Sequence, residues 1–160
     1  MAEKLDLKQA KAMYKGMIDM FDSIGWTYDR RDDELVIESG VKGEDLPIKL
    51  YVVVKPKQQV VQVVSPLPFN IPEDKRVDAA IAVCVANYGI VDGTFDYDFT
   101  DGSISFRMTW GYRGCKSSRD LFEYLVMVAA GTVERYNDKF FMVGKNMMSV
   151  QQFIDAENNN

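Results

Sequence analysis

The sequence contains no histidine. The commonest general base and the commonest metal ligand are therefore missing, and most hydrolase and metalloenzyme readings go with them. Cysteine is scarce: Cys84 and Cys115 stand far apart with no Cys-x-x-Cys pairing. Neither a redox motif nor a disulfide framework is indicated, and both are expected as reduced thiols. A basic excess is also missing, since 19 Lys and Arg against 24 Asp and Glu leave a net charge of −5 over 160 residues. Phosphate backbones and anionic membrane surfaces require a positive footprint, so no nucleic acid and no membrane partner is expected. No apolar run reaches the ~18 residues of a membrane span, and charge at Glu3, Lys4 and Asp6 occupies the place of a signal peptide's apolar segment. A cytoplasmic protein is expected.

What is present is clear periodicity. Over residues 5–24, Ala10, Met13, Tyr14, Met17, Ile18, Phe21 and Ile24 mark one face of a helix that Gly25 ends. Its methionines, Met13, Met17 and Met20, suit either an ordinary core or an adaptable interface. The period then changes to two. Trp26 and Tyr28, then Leu35 and Ile37, flank a polar run and predict a hairpin. Residues 48–55 and 60–64 predict a second hairpin around Pro56-Lys57, with Leu50 opposite Val63 and Val52 opposite Val61. That register places Ile48, Leu50, Val52, Val61 and Val63 on one face and Tyr51, Val53, Val60 and Val64 on the other. Both faces are apolar near the middle, so the second is expected to be covered by another helix or a partner.

Residues 65–72 hold three prolines and are expected to be a connection rather than a strand. Within them, Leu67 and Phe69 suit a docking knob or packing over the end of the sheet. Pro72, Glu73 and Asp74 open a helix. Its predicted buried stripe is Val77, Ala80, Ile81, Cys84, Val85 and Tyr88, with Gly89 as the stop. Phe95, Tyr97 and Phe99 then alternate with acids, and Ile104, Phe106, Met108 and Trp110 alternate with polar residues across Asp101-Gly102, a strong hairpin signal. A two-residue turn there pairs Phe99 with Ile104, Tyr97 with Phe106, Phe95 with Met108 and Asp96 with Arg107, the last as a structural pair. Ser117-Ser118-Arg119-Asp120 supplies the N-cap of a helix carrying Leu121, Leu125, Val128, Ala129, Thr132, Val133 and Tyr136 to about residue 137. A short amphipathic piece follows around Val150, Phe153 and Ile154. The class is α+β, an antiparallel sheet of hairpins with helices in the order α-ββ-ββ-α-ββ-α. One domain over residues 1–145 is expected, with a short helical tail over 146–160.

Two motifs fail as catalytic or metal sites. Residues 110–118 contain Gly111, Gly114, Lys116 and Ser118, but only two residues separate the glycines and Cys115 precedes the lysine. A phosphate loop needs four residues there and an immediate lysine, so a glycine-bearing loop with a serine cap is expected. Asp92, Asp96, Asp98 and Asp101 lack the spacing of a calcium loop, and the alternation around them reads as a strand with turn acids. No catalytic residue, metal or cofactor is expected.

The block Leu67-Pro-Phe, with Val85-Ala-Asn87-Tyr-Gly89 and then residues 93–107 from Gly93 through Phe95, Asp98, Asp101, Gly102, Ile104 and Phe106 to Arg107, resembles the YbjN family, described as bacterial sensory-transduction regulators. The resemblance spans roughly residues 20–140. It implies the fold of the type III secretion chaperones, no established catalytic constellation, and a cytoplasmic, dimeric, protein-binding or regulatory domain. A non-enzymatic chaperone-like or regulatory function is therefore expected, with Tyr51, Val53, Val60, Val64, Leu67 and Phe69 as the candidate interaction surface, a homodimer, and an unidentified protein partner. The alternative is a small-molecule sensor binding an apolar ligand between helix and sheet.

Overall fold

The structure, a computed structural model, describes residues 2–159, with side chains from residue 7 onward. The elements follow the expected order: α1 (Ala2–Ile24), β1 (Tyr28–Arg31), β2 (Val36–Lys42), β3 (Pro47–Lys55), β4 (Val60–Asn70), a 3-10 turn (Glu73–Lys75), α2 (Arg76–Gly89), β5 (Thr94–Tyr97), β6 (Ser103–Gly111), α3 (Arg119–Gly144) and α4 (Val150–Asn158). The strands form a six-stranded antiparallel sheet in the order β1-β2-β3-β4-β6-β5.

Period-two alternation decides which side chains face the helices. Ile37, Leu50, Val52, Val54, Val61, Val63, Phe106 and Met108 are buried on one face, where α1 and α3 pack. Tyr51, Val53, Val60 and Val64 lie on the opposite face and remain half exposed. Met13, Met17 and Met20 are all buried in the core. α1 and α3 approach closely at Gly16, where an added Cβ would stand 2.8 Å from Phe122. An aromatic column runs from the sheet outward, with Phe95 against Phe106 at 5.0 Å and against Phe140 at 5.0 Å, and Phe140 stacked on Phe153 of α4 at 5.6 Å. α4 is anchored by that buried phenylalanine and opened by a capping box between Ser149 and Gln152.

Both hairpin registers differ from expectation by two positions, which preserves the face of every residue that stays in a strand. In the β3–β4 hairpin Val52 pairs with Val63 and Val54 with Val61, leaving residues 56–59 as the loop. A two-residue hairpin turn needs φ > 0 at its first central position, and the ring of Pro56 forbids it. Gln59 adopts the left-handed conformation instead, at φ 55°. In the β5–β6 hairpin Tyr97 pairs with Ile104 and Phe95 with Phe106. Here Asp98 captures the chain early: its carboxylate accepts from the Thr100 N–H at 2.8 Å and hydroxyl at 2.6 Å, an Asx turn that ends the strand before Phe99. Phe99 therefore sits in the loop, exposed. Asp96 and Arg107 become diagonal neighbours, and the guanidinium still reaches both carboxylate oxygens, at 2.6 and 2.9 Å.

The prolines of residues 65–72 do not end the strand. β4 continues through Pro66 and Pro68 to Asn70 because its paired positions with β3 end at Val64, while those with β6 continue past Ser65 with a bulge before Asn70. A proline is tolerated where one side of the strand needs no donor. α3 runs beyond residue 137 to Gly144, since Phe140 and Val143 continue its buried face.

Candidate interaction surface

The largest departure from the sequence pattern lies on α2. Its buried residues are Ala79, Ala82, Val83 and Ala86, not the predicted stripe. Val77 is 62% exposed, Ile81 40% and Tyr88 97%, and Cys84 is an exposed free thiol. Ala80 and Val85 are half buried. Two apolar faces exist on this helix, and the one built from small residues is turned inward. Small side chains allow the helix to lie close to α3, α4 and β5.

Asn87 explains the orientation. Its amide donates to the Phe95 carbonyl at 3.0 Å, and its carbonyl accepts from the Phe95 N–H at 2.8 Å. Phe95 lies opposite Phe106 in the ladder, and its own N–H and C=O point away from β6 toward α2. The asparagine thus supplies to the edge of β5 the two bonds a further strand would have supplied. With Asn87 and Ala86 fixed against the sheet, helical geometry sends Tyr88, Ile81, Cys84 and Val77 outward.

This outward stripe continues onto neighbouring elements. A groove of about 550 Å³ is lined by Cys84, Val85 and Tyr88 of α2, Arg135 of α3, and Ile154, Glu157 and Asn158 of α4. A smaller depression of about 200 Å³ adjoins it through Gly89 and Arg135 and is lined by Val91, Tyr124 and Val128. Val91, Tyr124 and Met127 are exposed as well. The Tyr124 hydroxyl donates to Asp92, tying the α2–β5 loop to α3, and this bond raises the pKa of the phenol.

The rim of the groove is charged. The Glu157 carboxylate, its side chain only 9% exposed, accepts from Lys139 at 2.8 Å and from the Tyr136 hydroxyl at 2.7 Å, with Arg135 at 3.4 Å. Burial pushes this carboxyl upward, and the two hydrogen bonds with the two cations more than reverse it, holding it below its usual range. Burial, then the bond to Glu157, pushes the Tyr136 phenol up to about 12.

The residues expected to form the interaction surface do not lie together. Tyr51, Val53, Val60 and Val64 share the open sheet face, fringed by cross-strand polar contacts: Tyr51 to Glu38 at 3.3 Å, Gln62 to Thr109 at 3.0 Å, and the Asp96–Arg107 pair. Leu67 is buried, and Phe69 lies edge-on to Phe141 of α3 at 5.4 Å, so both pack over the end of the sheet. Tyr124 and Met127 carried no signal in the sequence beyond falling outside the inward period of α3, and Val91, in the α2–β5 loop, carried none. Among the described residues no three His, Cys, Asp or Glu are grouped to hold a metal, and no helix is long and apolar enough to cross a membrane.

A contiguous apolar stripe with a polar rim is the chemistry of protein docking. Three comparisons bear on it. The YbjN family model, "Putative bacterial sensory transduction regulator", matches residues 16–142. The crystal structure of YbjN from E. coli, described as "a putative transcription regulator", is similar at a TM-score of 0.55 with 7% identity, over 76% of this chain and 86% of that one. The ExsC–ExsE complex gives a TM-score of 0.55 with 10% identity, over 78% of this chain and 90% of that one. At such identities the likeness shows a shared fold, the one the sequence resemblance implied. No curated protein matches the chain at a significant level.

Proposed function

Since the chain belongs to the YbjN family, whose members are described as regulators, we propose that it is a non-enzymatic regulatory domain that acts by binding protein, working as a homodimer paired through the outward face of α2. The observation that carries this reading is the inverted helix: its alanines are buried and Val77, Ile81 and Tyr88 are exposed. Fully burying side chains of this kind stabilises by about 1.5–3 kcal/mol each. One stripe offers roughly 5 kcal/mol on that scale, and a two-fold pair buries two stripes, roughly 10 kcal/mol. That is of the order of the ~4–15 kcal/mol cost of association, whereas a single stripe on an unrelated polar surface reaches only the lower end of that range.

The open sheet face at Tyr51, Val53, Val60 and Val64 is the proposed seat of a second protein. ExsC, solved in complex with ExsE, lends support to partner binding on this fold. Two readouts separate the surfaces. Light scattering at tens of micromolar is expected to give a dimer mass for the natural chain and a monomer mass for the Ile81→Glu, Tyr88→Ser variant with unchanged far-UV dichroism. Val60→Glu with Val64→Glu is expected to keep the dimer and lose whatever protein copurifies from the native host. A strictly monomeric natural chain overturns the pairing, and a copurifying partner indifferent to the sheet-face charges overturns the second assignment.

A further inference from the structure

A second groove lies at the corner of the sheet remote from α2. It has a volume of about 560 Å³ and runs between Leu7 of α1, the β1–β2 turn at Glu34, and the end of the β3–β4 hairpin at Val53, Lys55, Pro56 and Lys57. The size falls within the range of small-molecule sites. Its floor is apolar, and its walls are fixed. Leu35, adjacent to Glu34, is buried although it holds φ 55°, and its carbonyl accepts from the Val54 N–H at 3.0 Å. A bulky residue kept in the left-handed region persists only where the surroundings over-determine it, so the corner is preformed.

Charge at the mouth runs opposite to that of the chain. The molecule carries −5 overall, yet Lys55 and Lys57 stand at the groove and neither forms an ion pair among the described residues. Among the described residues the one acid lining the groove, Glu34, is engaged by Arg31 at 3.2 Å. An apolar cleft with two uncommitted ammonium groups at its rim is complementary to a small molecule with a hydrocarbon body and one anionic end.

We propose that this corner groove binds an aliphatic carboxylate, its alkyl chain along Leu7, Val53 and Pro56 and its carboxylate between Lys55 and Lys57. The site is separate from the α2 stripe and shares only Val53 with the open sheet face, and its occupancy does not depend on the pairing of two copies.

Amide-resolved NMR titration of the full chain with decanoate, below its micellar concentration, tests the assignment, with decanol as the uncharged control. Decanoate is expected to shift the amides of Leu7, Val53, Lys57 and Gln58, and to bind more tightly than decanol. Lys55→Glu with Lys57→Glu replaces exposed or half-exposed side chains and is expected to weaken decanoate by about tenfold, the size of two lost solvent-exposed charge contacts, while leaving decanol unchanged. Leu7→Asn is expected to weaken both. Equal affinity for decanol and decanoate overturns the charge reading. Shifts confined to Ile81, Cys84 and Tyr88 overturn the site, since the ligand would then be sampling the α2 stripe.

Discussion

Replacing Asn87 by alanine removes both hydrogen bonds that hold α2 against the edge of β5. Each bond contributes about 0.5–1.5 kcal/mol net when made, and a buried partner left unsatisfied costs about 1–3 kcal/mol. The two Phe95 groups are only partly shielded, so water recovers a share of the loss and a total near 2–3 kcal/mol is expected. For a chain of this length a kcal/mol corresponds to roughly 2–4 °C in melting temperature, giving a drop of about 5–10 °C. Asn87→Asp sharpens the test. Its carboxylate keeps the acceptor for the Phe95 N–H but sets a second oxygen against the Phe95 carbonyl, which raises the acid's folded pKa. Stability is then recovered as pH falls through that raised value, when the protonated acid donates again. Urea denaturation at neutral and mildly acidic pH, followed by far-UV dichroism, reads both variants. An Asn87→Ala cost below about 0.5 kcal/mol, with Asn87→Asp independent of pH, would refute the argument that this side chain decides which face of α2 turns outward.

Two further predictions follow from the geometry. Gly93 holds φ 87°, and a Cβ there would lie 2.4 Å from Cζ of Phe106 and 2.9 Å from Cγ of Met108. Gly93→Ala is expected to cost about 2–4 kcal/mol in urea denaturation, combining left-handed strain with overpacking, and a cost under about 1 kcal/mol would show that the loop yields freely. The depressed pKa of Glu157 contributes stability that is full above its ordinary value of 4.5 and lost as pH falls through the lower folded value. Hydrogen exchange of α4 amides is therefore expected to accelerate below that pH in the natural chain and to remain flat with pH in Glu157→Gln, intrinsic exchange being corrected for; parallel profiles would remove Glu157 as the anchor.

Much of this protein is local in origin and was legible in the order of its residues. Alternation in residues 48–64 and 94–110 placed each strand residue on its proper face even where the register was off, because a shift by two positions leaves parity unchanged. The registers themselves turned on stereochemistry also written locally: Pro56 cannot take positive φ, and Asp98 closes an Asx turn on Thr100 before the Asp101-Gly102 pair is reached. The acidic balance and missing histidine constrained the chemistry without reference to any fold. The family likeness was carried by residues 67–107, including Asn87 and Gly93, whose roles became visible only in three dimensions.

The orientation of α2 was a different kind of question. Its sequence presents a large apolar face and a small one, and periodicity ranks the large one as buried. Tertiary structure chose the small face, because alanines permit close approach to α3 and α4 and because Asn87 completes the edge of a strand eight residues further along the chain. The same is true of the corner groove, whose walls come from α1, the β1–β2 turn and the β3–β4 loop. A single segment encodes its own period, but which of its faces meets water depends on the shape and unmet hydrogen bonds of segments it meets only after folding.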